Sequence, residues 1–270
     1  MEFWNNGVHI LRCVTVLESR ITPILQSSIP MNIVCPDLAP LRLDYAAAVA
    51  LQQRLRGLVV ASGTVRPPCL IAGVDVSYDF VPTRFAKSKK ASELLYAAVV
   101  VLELPSLRVV ETVGVAGRAE FPYVPGLLSF REMPPLLEAF RKLRVTPDAV
   151  LVDGQGIAHP RRCGLASHLG LALDLPAVGC AKSRLIGEYQ EPGQRRGSAT
   201  NLRDGDEVIG RVVRTRDGVA PLFVSVGHKI SLDAAVALVL ECAPRYRLPE
   251  TTRQAHALVN QLRSKGKSCA

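Results

Sequence analysis

Three acidic residues and one lysine stand where side chains from separate elements could act on one substrate. Asp75 lies inside an apolar run, Asp153 ends a second run, Lys182 ends a third, and Glu132 lies near the start of a helical pattern. Carboxylate oxygens are the ligands that Mg²⁺ and Mn²⁺ prefer. A metal held in this way can activate water, and a neighbouring lysine can contact a phosphate. The residue types therefore predict a metal-dependent site that hydrolyses a phosphodiester.

Each of these residues also has an ordinary structural interpretation. An aspartate within an apolar strand can be buried and hydrogen-bonded, which would explain Asp75. Asp153 could begin a turn, Glu132 could complement a helix dipole, and Lys182 could be a solvated cation. Convergence of these residues on one place would favour chemistry over these alternatives, so the elements that carry them matter.

Hydrophobic periodicity predicts those elements. The first strand, 70–78, is followed by a close antiparallel pair, 94–104 and 107–115, which makes a meander. The strand 149–153, a helix over 161–173 and the strand 176–182 form a right-handed parallel crossover. Asp153 and Lys182 should then reach the same sheet edge, where ligands bind in open α/β sheets. The predicted fold is a ribonuclease H-like α/β mixed sheet, an antiparallel meander followed by parallel strands, flanked by helices.

Further elements surround this sheet. We predict helices over 41–60, from about Glu132 to Leu143, over 232–242 and over 249–262. Pro134 and Pro135 should lie in the first turn of the second of these helices. We also predict a mobile loop over 188–206 and a hairpin of 207–214 with 221–226. The helix over 249–262 places His256 at the margin of its apolar face.

Composition limits the functional class. The 270 residues carry 33 Lys and Arg against 24 Asp and Glu, a formal charge of +9, which permits a polyanionic partner. The seven cysteines are scattered without C-x-x-C spacing, so we expect neither a zinc site nor a disulfide framework, and we expect a cytoplasmic location. Charged residues interrupt the N-terminal apolar stretches, so we expect no signal peptide and no membrane span.

Two basic or aromatic segments have open interpretations. Pro122 and Pro125 bracket Tyr123 and Val124 in a stiff extended segment. The aromatic held in this segment could pry apart stacked bases, or it could cap the core. The basic loop 82–92 could contact phosphates, or it could be solvated surface.

Several long motifs resemble the endonuclease V family, the deoxyinosine 3′ endonucleases. They are Ala-Gly-Val-Asp-Val-Ser at 72–77, Pro-Tyr-Val-Pro-Gly-Leu-Leu-Ser-Phe-Arg-Glu at 122–132, Val-Asp-Gly-Gln-Gly-Ile-Ala-His-Pro-Arg-Arg at 152–162, Gly-Cys-Ala-Lys at 179–182, Val-Gly-His-Lys at 226–229 and Arg-Leu-Pro-Glu at 247–250. The resemblance runs from about Leu41 to Leu262. We expect a poorly matched extension over 1–36, in which Met31 is a candidate start, one endonuclease V domain over 37–265, and a tail over 266–270.

The resemblance implies the ribonuclease H-like fold and a specific activity. A family member nicks the second phosphodiester bond 3′ to deoxyinosine, requires Mg²⁺ (Mn²⁺ substitutes), and leaves 3′-hydroxyl and 5′-phosphate ends. Asp75 and Asp153 look like direct metal ligands, Glu132 and His256 act nearby through water, and Lys182 matches the active-site lysine. The expected partner is DNA containing deoxyinosine, with inosine RNA as the alternative. We expect a monomer that does not associate with a membrane and does not use a nucleotide cofactor.

The same resemblance implies a set of base-binding residues. Tyr123 matches the aromatic that fills the gap left by a displaced base. The remaining positions resemble its supports and the hypoxanthine pocket: Pro122, Val124, Pro125, Gly126, Leu128, Gly154, Gly156 and His159. Glycines at such positions allow a flipped base to approach the backbone. The sequence departs from the family pattern at Val124, at Ser183, where a second lysine is frequent, and at Thr251, where proline is usual.

Two other functional classes fit less well. A dinucleotide-binding loop at Asp153-Gly-Gln-Gly would need a third glycine and a ribose-binding acid, which are missing from the expected places. A basic nucleic-acid-binding module without catalysis would not need three acids at these positions.

Overall fold

The computed structural model describes residues 44–78 and 93–265 in full, and the backbone alone at 4–5, 8–9, 80–82, 89–91 and 266–268. Most of the N-terminal extension and of the basic loop 82–92 lies outside the described residues. No helix in the described part of the chain is both long and apolar enough to cross a membrane.

The described residues form a mixed sheet with helices on both faces. The helices are α1 (Tyr45–Arg56), α2 (Leu128–Arg141), α3 (Leu165–Leu173), α4 (Leu232–Cys242) and α5 (Glu250–Ser268). The strands are β1 (Trp4–Asn5), β2 (Val8–His9), β3 (Cys69–Ser77), β4 (Phe80–Pro82), β5 (Lys89–Ala91), β6 (Leu94–Leu104), β7 (Arg108–Arg118), β8 (Ala149–Val152), β9 (Ala177–Ala181), β10 (Ala199–Asp204), β11 (Glu207–Val213) and β12 (Leu222–His228).

The main sheet has the strand order β10-β11-β12-β9-β8-β3-β6-β7. Strands β3, β6 and β7 form the antiparallel meander, and β8 and β9 continue the sheet in parallel with β3. Two apolar layers cover the sheet. Helices α1, α2 and α3 contribute to one layer, and α4 and α5 pack on the opposite face. This arrangement confirms the predicted ribonuclease H-like α/β fold.

Strand β3 is central because its alternating side chains serve both layers. Ala72 and Val74 join the layer under α2 and α3, and Ile71 joins the layer under α4. Gly73 lies on the α5 face, where an added Cβ would stand 2.2 Å from the Thr251 carbonyl carbon. The glycine therefore allows the start of α5 to lie directly on β3.

Several elements differ from the sequence-based predictions. Helix α1 ends at Arg56 and not at 60, α5 runs to Ser268 and not to 262, and three further differences change an interpretation. Helix α2 begins at Leu128, so Pro134 and Pro135 lie in its interior and not in its first turn. Helix α3 begins at Leu165, after a segment of turns that follows β8. The segment 188–206, predicted to be a mobile loop, contains strand β10, which pairs with β11 along six residue pairs. Strand β10 is an edge strand whose side chains are mostly polar and exposed or half-buried, so hydrophobic periodicity did not indicate a strand.

Candidate active site

The register of the parallel strands brings the first two carboxylates together. Val74 of β3 pairs with Val152 of β8. The next residues along the two strands are Asp75 and Asp153, so both acids emerge from neighbouring strands at the same level of the sheet. Their side chains are 14% and 15% exposed, respectively. The convergence predicted for these two residues is therefore present in the structure.

Both carboxylate oxygens of Asp75 have partners. The Val76 backbone N–H donates to Oδ1 at 3.0 Å, and His256 Nδ1 lies 2.7 Å from Oδ2. The other His256 nitrogen, Nε2, lies 3.0 Å from Asn260 Nδ2 one helical turn further on. Burial raises the pKa of Asp75, the hydrogen bond from His256 opposes that shift, and the charge of Asp153 adds to it. His256 thus stabilises a carboxylate that would otherwise resist ionisation.

Lys182 contacts the second carboxylate directly. Its ammonium group forms an ion pair with Asp153 Oδ2. The Lys182 carbonyl accepts a hydrogen bond of 2.8 Å from Arg247 Nη2, and the same guanidinium donates to the carbonyls of Ala220 and Pro221. Arg247 therefore fixes the backbone from which the lysine reaches the site.

Glu132 approaches the two aspartates from α2. Burial and the charge of Asp75 raise its pKa to about 8, and Asp153 adds to the shift. The Tyr78 hydroxyl donates a hydrogen bond to Glu132, and the Arg131 guanidinium lies 5.1 Å from the centroid of the Tyr78 ring. Because two further acids lie close to the partly buried Glu132 carboxylate, a bound cation would stabilise its charged form.

The donor set fits a hard divalent cation. The charge of Asp153 helps to raise the pKa of Asp75, and both aspartates help to raise the pKa of Glu132. Oxygen donors of this kind, which come from β3, α2 and the end of β8, suit Mg²⁺ or Mn²⁺. Among the fully described residues, no group of three acidic, histidine or cysteine side chains has the arrangement that would hold a metal ion. Instead, Lys182 contacts one oxygen of Asp153 and His256 contacts one oxygen of Asp75, the two aspartates that would hold the cation.

A cleft of about 450 Å³ lies beside the acids. Its lining includes Glu132, Asp153 and Lys182, together with the predicted base-binding residues Tyr123, Pro125, Gly126, Leu128, Gly154 and His159. The lining of the cleft does not include Pro122, Val124 or Gly156. An added Cβ at Gly156 would stand 1.9 Å from the Val226 carbonyl oxygen, so β12 explains why a glycine is needed there.

Tyr123 stands at the mouth of this cleft. The side chain is 41% exposed, although it is a large aromatic. The edge of its ring packs on Tyr78, with the ring centroids 6.1 Å apart. The interpretation that the aromatic merely caps the core therefore does not fit, because Tyr123 projects from the surface and rests on a residue that contacts Glu132.

Comparison with known proteins tests whether this chain belongs to the family that its motifs resemble. The family model described as Endonuclease V matches residues 53–257. The endonuclease V of Roseiflexus castenholzii is 46% identical over 222 residues, which are 82% of this chain and 95% of that protein. The crystal structure of endonuclease V from Streptomyces avermitilis superposes with a TM-score of 0.77 and 42% identity, over 85% of this chain and 97% of that one.

This chain belongs to the endonuclease V family. A more distant member supplies a complex with nucleic acid. The crystal structure of Ciona intestinalis endonuclease V contains a 24mer DNA with an inosine followed by a ribo-adenosine. The superposition with that structure covers 80% of this chain and 96% of the Ciona chain, with 27% identity and a TM-score of 0.67.

Sequence reasoning predicted that the three acids and the lysine lie together but missed the residues that hold them. Tyr78, Arg131 and Arg247 support Glu132 and Lys182, and Gln52 and Arg161 contact the rim of the cleft. One signal was available for Gln52, because it falls on the buried face of α1 beside Leu51 and Leu55, where a polar side chain needs partners.

Proposed function

We propose that this endonuclease V is a divalent-metal-dependent DNA repair nuclease that nicks the second phosphodiester bond 3′ to deoxyinosine and leaves 3′-hydroxyl and 5′-phosphate ends. The observation that carries the proposal is the register that sets Asp75 beside Asp153, with Lys182 paired to the latter. Three acids and a lysine at one sheet edge support hydrolysis of a phosphodiester better than they support binding alone.

The metal-binding role falls to the carboxylates. Asp75 and Asp153 are the proposed direct ligands of Mg²⁺, and Glu132 and His256 contribute through water. When bound, the ion would activate a water and stabilise the charge that develops on the departing oxygen. Lys182, whose ammonium group pairs with Asp153, is the proposed contact to the scissile phosphate.

The cleft is the proposed place of the displaced base. Tyr123 would fill the gap left in the stack, and Pro122, Val124 and Pro125 would keep that segment extended. Gly126, Leu128 and Gly154 lie at the cleft surface, and buried His159 closes its inner side. Gly156 would act indirectly, because it sets the path of the backbone that follows Asp153.

Inosine-containing RNA is the second candidate substrate. The Ciona intestinalis relative is in complex with a DNA in which a ribo-adenosine follows the inosine, so that complex includes a ribonucleotide next to the inosine. The same acids and cleft would serve either strand, because the hydrolysed bond is a phosphodiester in both.

Metal removal tests the proposed function. Matched duplexes with one deoxyinosine, one inosine or neither are incubated with the full chain in Mg²⁺, in EDTA, and in EDTA followed by excess Mg²⁺. We expect nicking of the deoxyinosine strand only when Mg²⁺ is present, at the second bond 3′ to the lesion, as read on a sequencing gel. Nicking that persists in EDTA, or equal nicking of the undamaged duplex, would contradict the proposal.

A further inference from the structure

Gln52 is a buried amide whose hydrogen-bonding groups all have partners at the base cleft. The residue lies on α1 and is 1% exposed. Its Nε2 donates to the Gly126 carbonyl at 3.2 Å and to the Cys163 carbonyl at 2.5 Å. Its Oε1 accepts a hydrogen bond from Arg161 Nε. One side chain from the start of the domain therefore contacts two segments that lie 74 and 111 residues away in the sequence.

Both segments line the cleft, the first through Gly126 and the second through Gly164, the residue after Cys163, and we refer to them as its two sides. Gly126 belongs to the turn between Tyr123 and α2 and has a φ of +78°, which favours glycine. Cys163 precedes Gly164 and Ala166, whose backbone N–H groups donate to the carbonyls of Gly156 and Gln155 in the segment that follows Asp153. Gln52 therefore spans from the side that carries Tyr123 to the side that carries Asp153.

Arg161 reinforces the same connection. Its Nη2 donates to the Gly126 carbonyl at 2.7 Å while its Nε donates to Gln52. Buried polar networks whose members are all satisfied fix the positions of the segments they join, because breaking one bond leaves an unpaired group in a low dielectric. Since Gln52 itself lines the cleft, the network sets the shape of the binding surface as well as the docking of α1.

We propose that Gln52 is a positioning residue that fixes the separation of the two sides of the base cleft and thereby determines how strictly the cleft selects its base. This inference rests on the proposed function and deepens it, because it assigns base selection to a residue of α1 outside every motif that indicates the family. A cleft of fixed width contacts the edges of one purine well, whereas phosphate contacts are the same for every base.

Three variants separate positioning from simple stability. Gln52→Ala removes all three hydrogen bonds. Gln52→Glu keeps a partner for Arg161 but loses both donors to Gly126 and Cys163. Gln53→Ala is the matched control, because Gln53 neighbours Gln52 on α1 and is exposed. Nicking kinetics on deoxyinosine and undamaged duplexes are measured at a temperature where all variants are folded, together with hydrogen exchange of the backbone amides at 126–128 and 163–166.

We expect Gln52→Ala and Gln52→Glu to raise KM for the deoxyinosine duplex about tenfold, with kcat within about twofold of the parent and with affinity for undamaged duplex retained. Amide exchange should accelerate in both segments, and Gln53→Ala should match the parent in every measurement. A loss confined to kcat, an equal loss on both duplexes, or exchange unchanged from the parent would overturn the proposal. If the parent chain nicks no inosine substrate, the proposed function fails, whereas the exchange data still decide whether Gln52 holds the two segments.

Discussion

Single side chains at this site have charge states set by their surroundings. Burial and neighbouring acids favour the neutral form of Glu132, and burial together with the charge of Arg161 lowers the pKa of His159 to about 4. His159 Nδ1 accepts the Arg161 backbone N–H at 3.2 Å, which agrees with a neutral ring. His159 therefore faces the cleft as a neutral hydrogen-bonding group at physiological pH, and not as a cation that would attract phosphate.

The buried neutral histidine predicts a pH dependence of folding stability. The pKa of His159 is lowered from 6.5 to about 4, so the unfolded chain binds the proton first as the pH falls. The stability from this group is present above pH 6.5 and is lost as the pH falls through the folded pKa. Between pH 7 and 5 the parent should lose about 2 kcal/mol of unfolding free energy through His159.

Urea unfolding of the parent and of His159→Gln at both pH values measures this difference. The variant lacks the titrating ring, so its unfolding free energy should fall less over the same interval. Identical pH dependence in the two proteins would show that His159 is not held neutral.

Residue roles could be predicted from the sequence only where a residue departs from the pattern of its immediate neighbours. Asp75 interrupts an apolar strand, and Asp153 ends one, so each is visible without a structure. The supports of the site are different, because Arg247 reaches the Lys182 carbonyl across 65 positions and nothing near Arg247 in the sequence indicates that partner.

At the level of elements, the docking of α5 on β3 positions His256, one of the side chains proposed to act in catalysis. Gly73 and Thr251 meet where the helix begins, and His256 lies slightly more than one turn further along the helix, against Asp75. Thr251, where the resemblance led us to expect proline, is fully buried at this contact, and His256 lies against Asp75. Backbone contact between strand and helix therefore determines where the histidine stands.

This packing predicts that Gly73→Ala damages both folding and nicking. The new Cβ would overlap the Thr251 backbone, which must move, so the free energy of unfolding should fall by about 1–3 kcal/mol. Displacement of α5 should also separate His256 from Asp75 and slow nicking of deoxyinosine DNA. Denaturant unfolding and nicking rates measure the two effects.

Gly117→Ala is the matched control for that substitution. Gly117 also lies in a strand of the main sheet, but its added Cβ would meet only Pro135 Cβ at 3.8 Å, an ordinary contact. We expect the control to retain the parent's stability and rate. Equal behaviour of the two alanine variants would show that the contact between Gly73 and Thr251 does not determine the placement of α5.

Hydrophobic periodicity predicted the element types correctly where burial alternates regularly. The predictions failed where tertiary packing outweighs local propensity. The meander and the parallel crossover are as predicted, because their strands are apolar on one or both faces. The interior prolines of α2 are tolerated because the helix packs on the sheet and beside α3, an arrangement that local propensity does not reveal. Boundaries of the domain within the chain stay a prediction.

At the scale of the whole molecule, the sheet brings distant parts of the chain to one edge. Acids from β3, from α2 and from the end of β8 meet Lys182 after β9, with α5 closing one side. The formal charge of +9 favours a polyanion that must approach this acidic centre, and a divalent cation would remove the local repulsion between the acids and the phosphate. The proposed activity depends on that shared ion.

The most direct test is the single-turnover nicking rate of a deoxyinosine duplex across a range of Mg²⁺ concentrations for Asp75→Asn and Asp153→Asn beside the parent. Each substitution keeps the size of the side chain and removes its charge. Both variants should bind the duplex but nick it at least about a thousandfold more slowly at every Mg²⁺ concentration. A parental rate in either variant would contradict a metal site shared by these two aspartates.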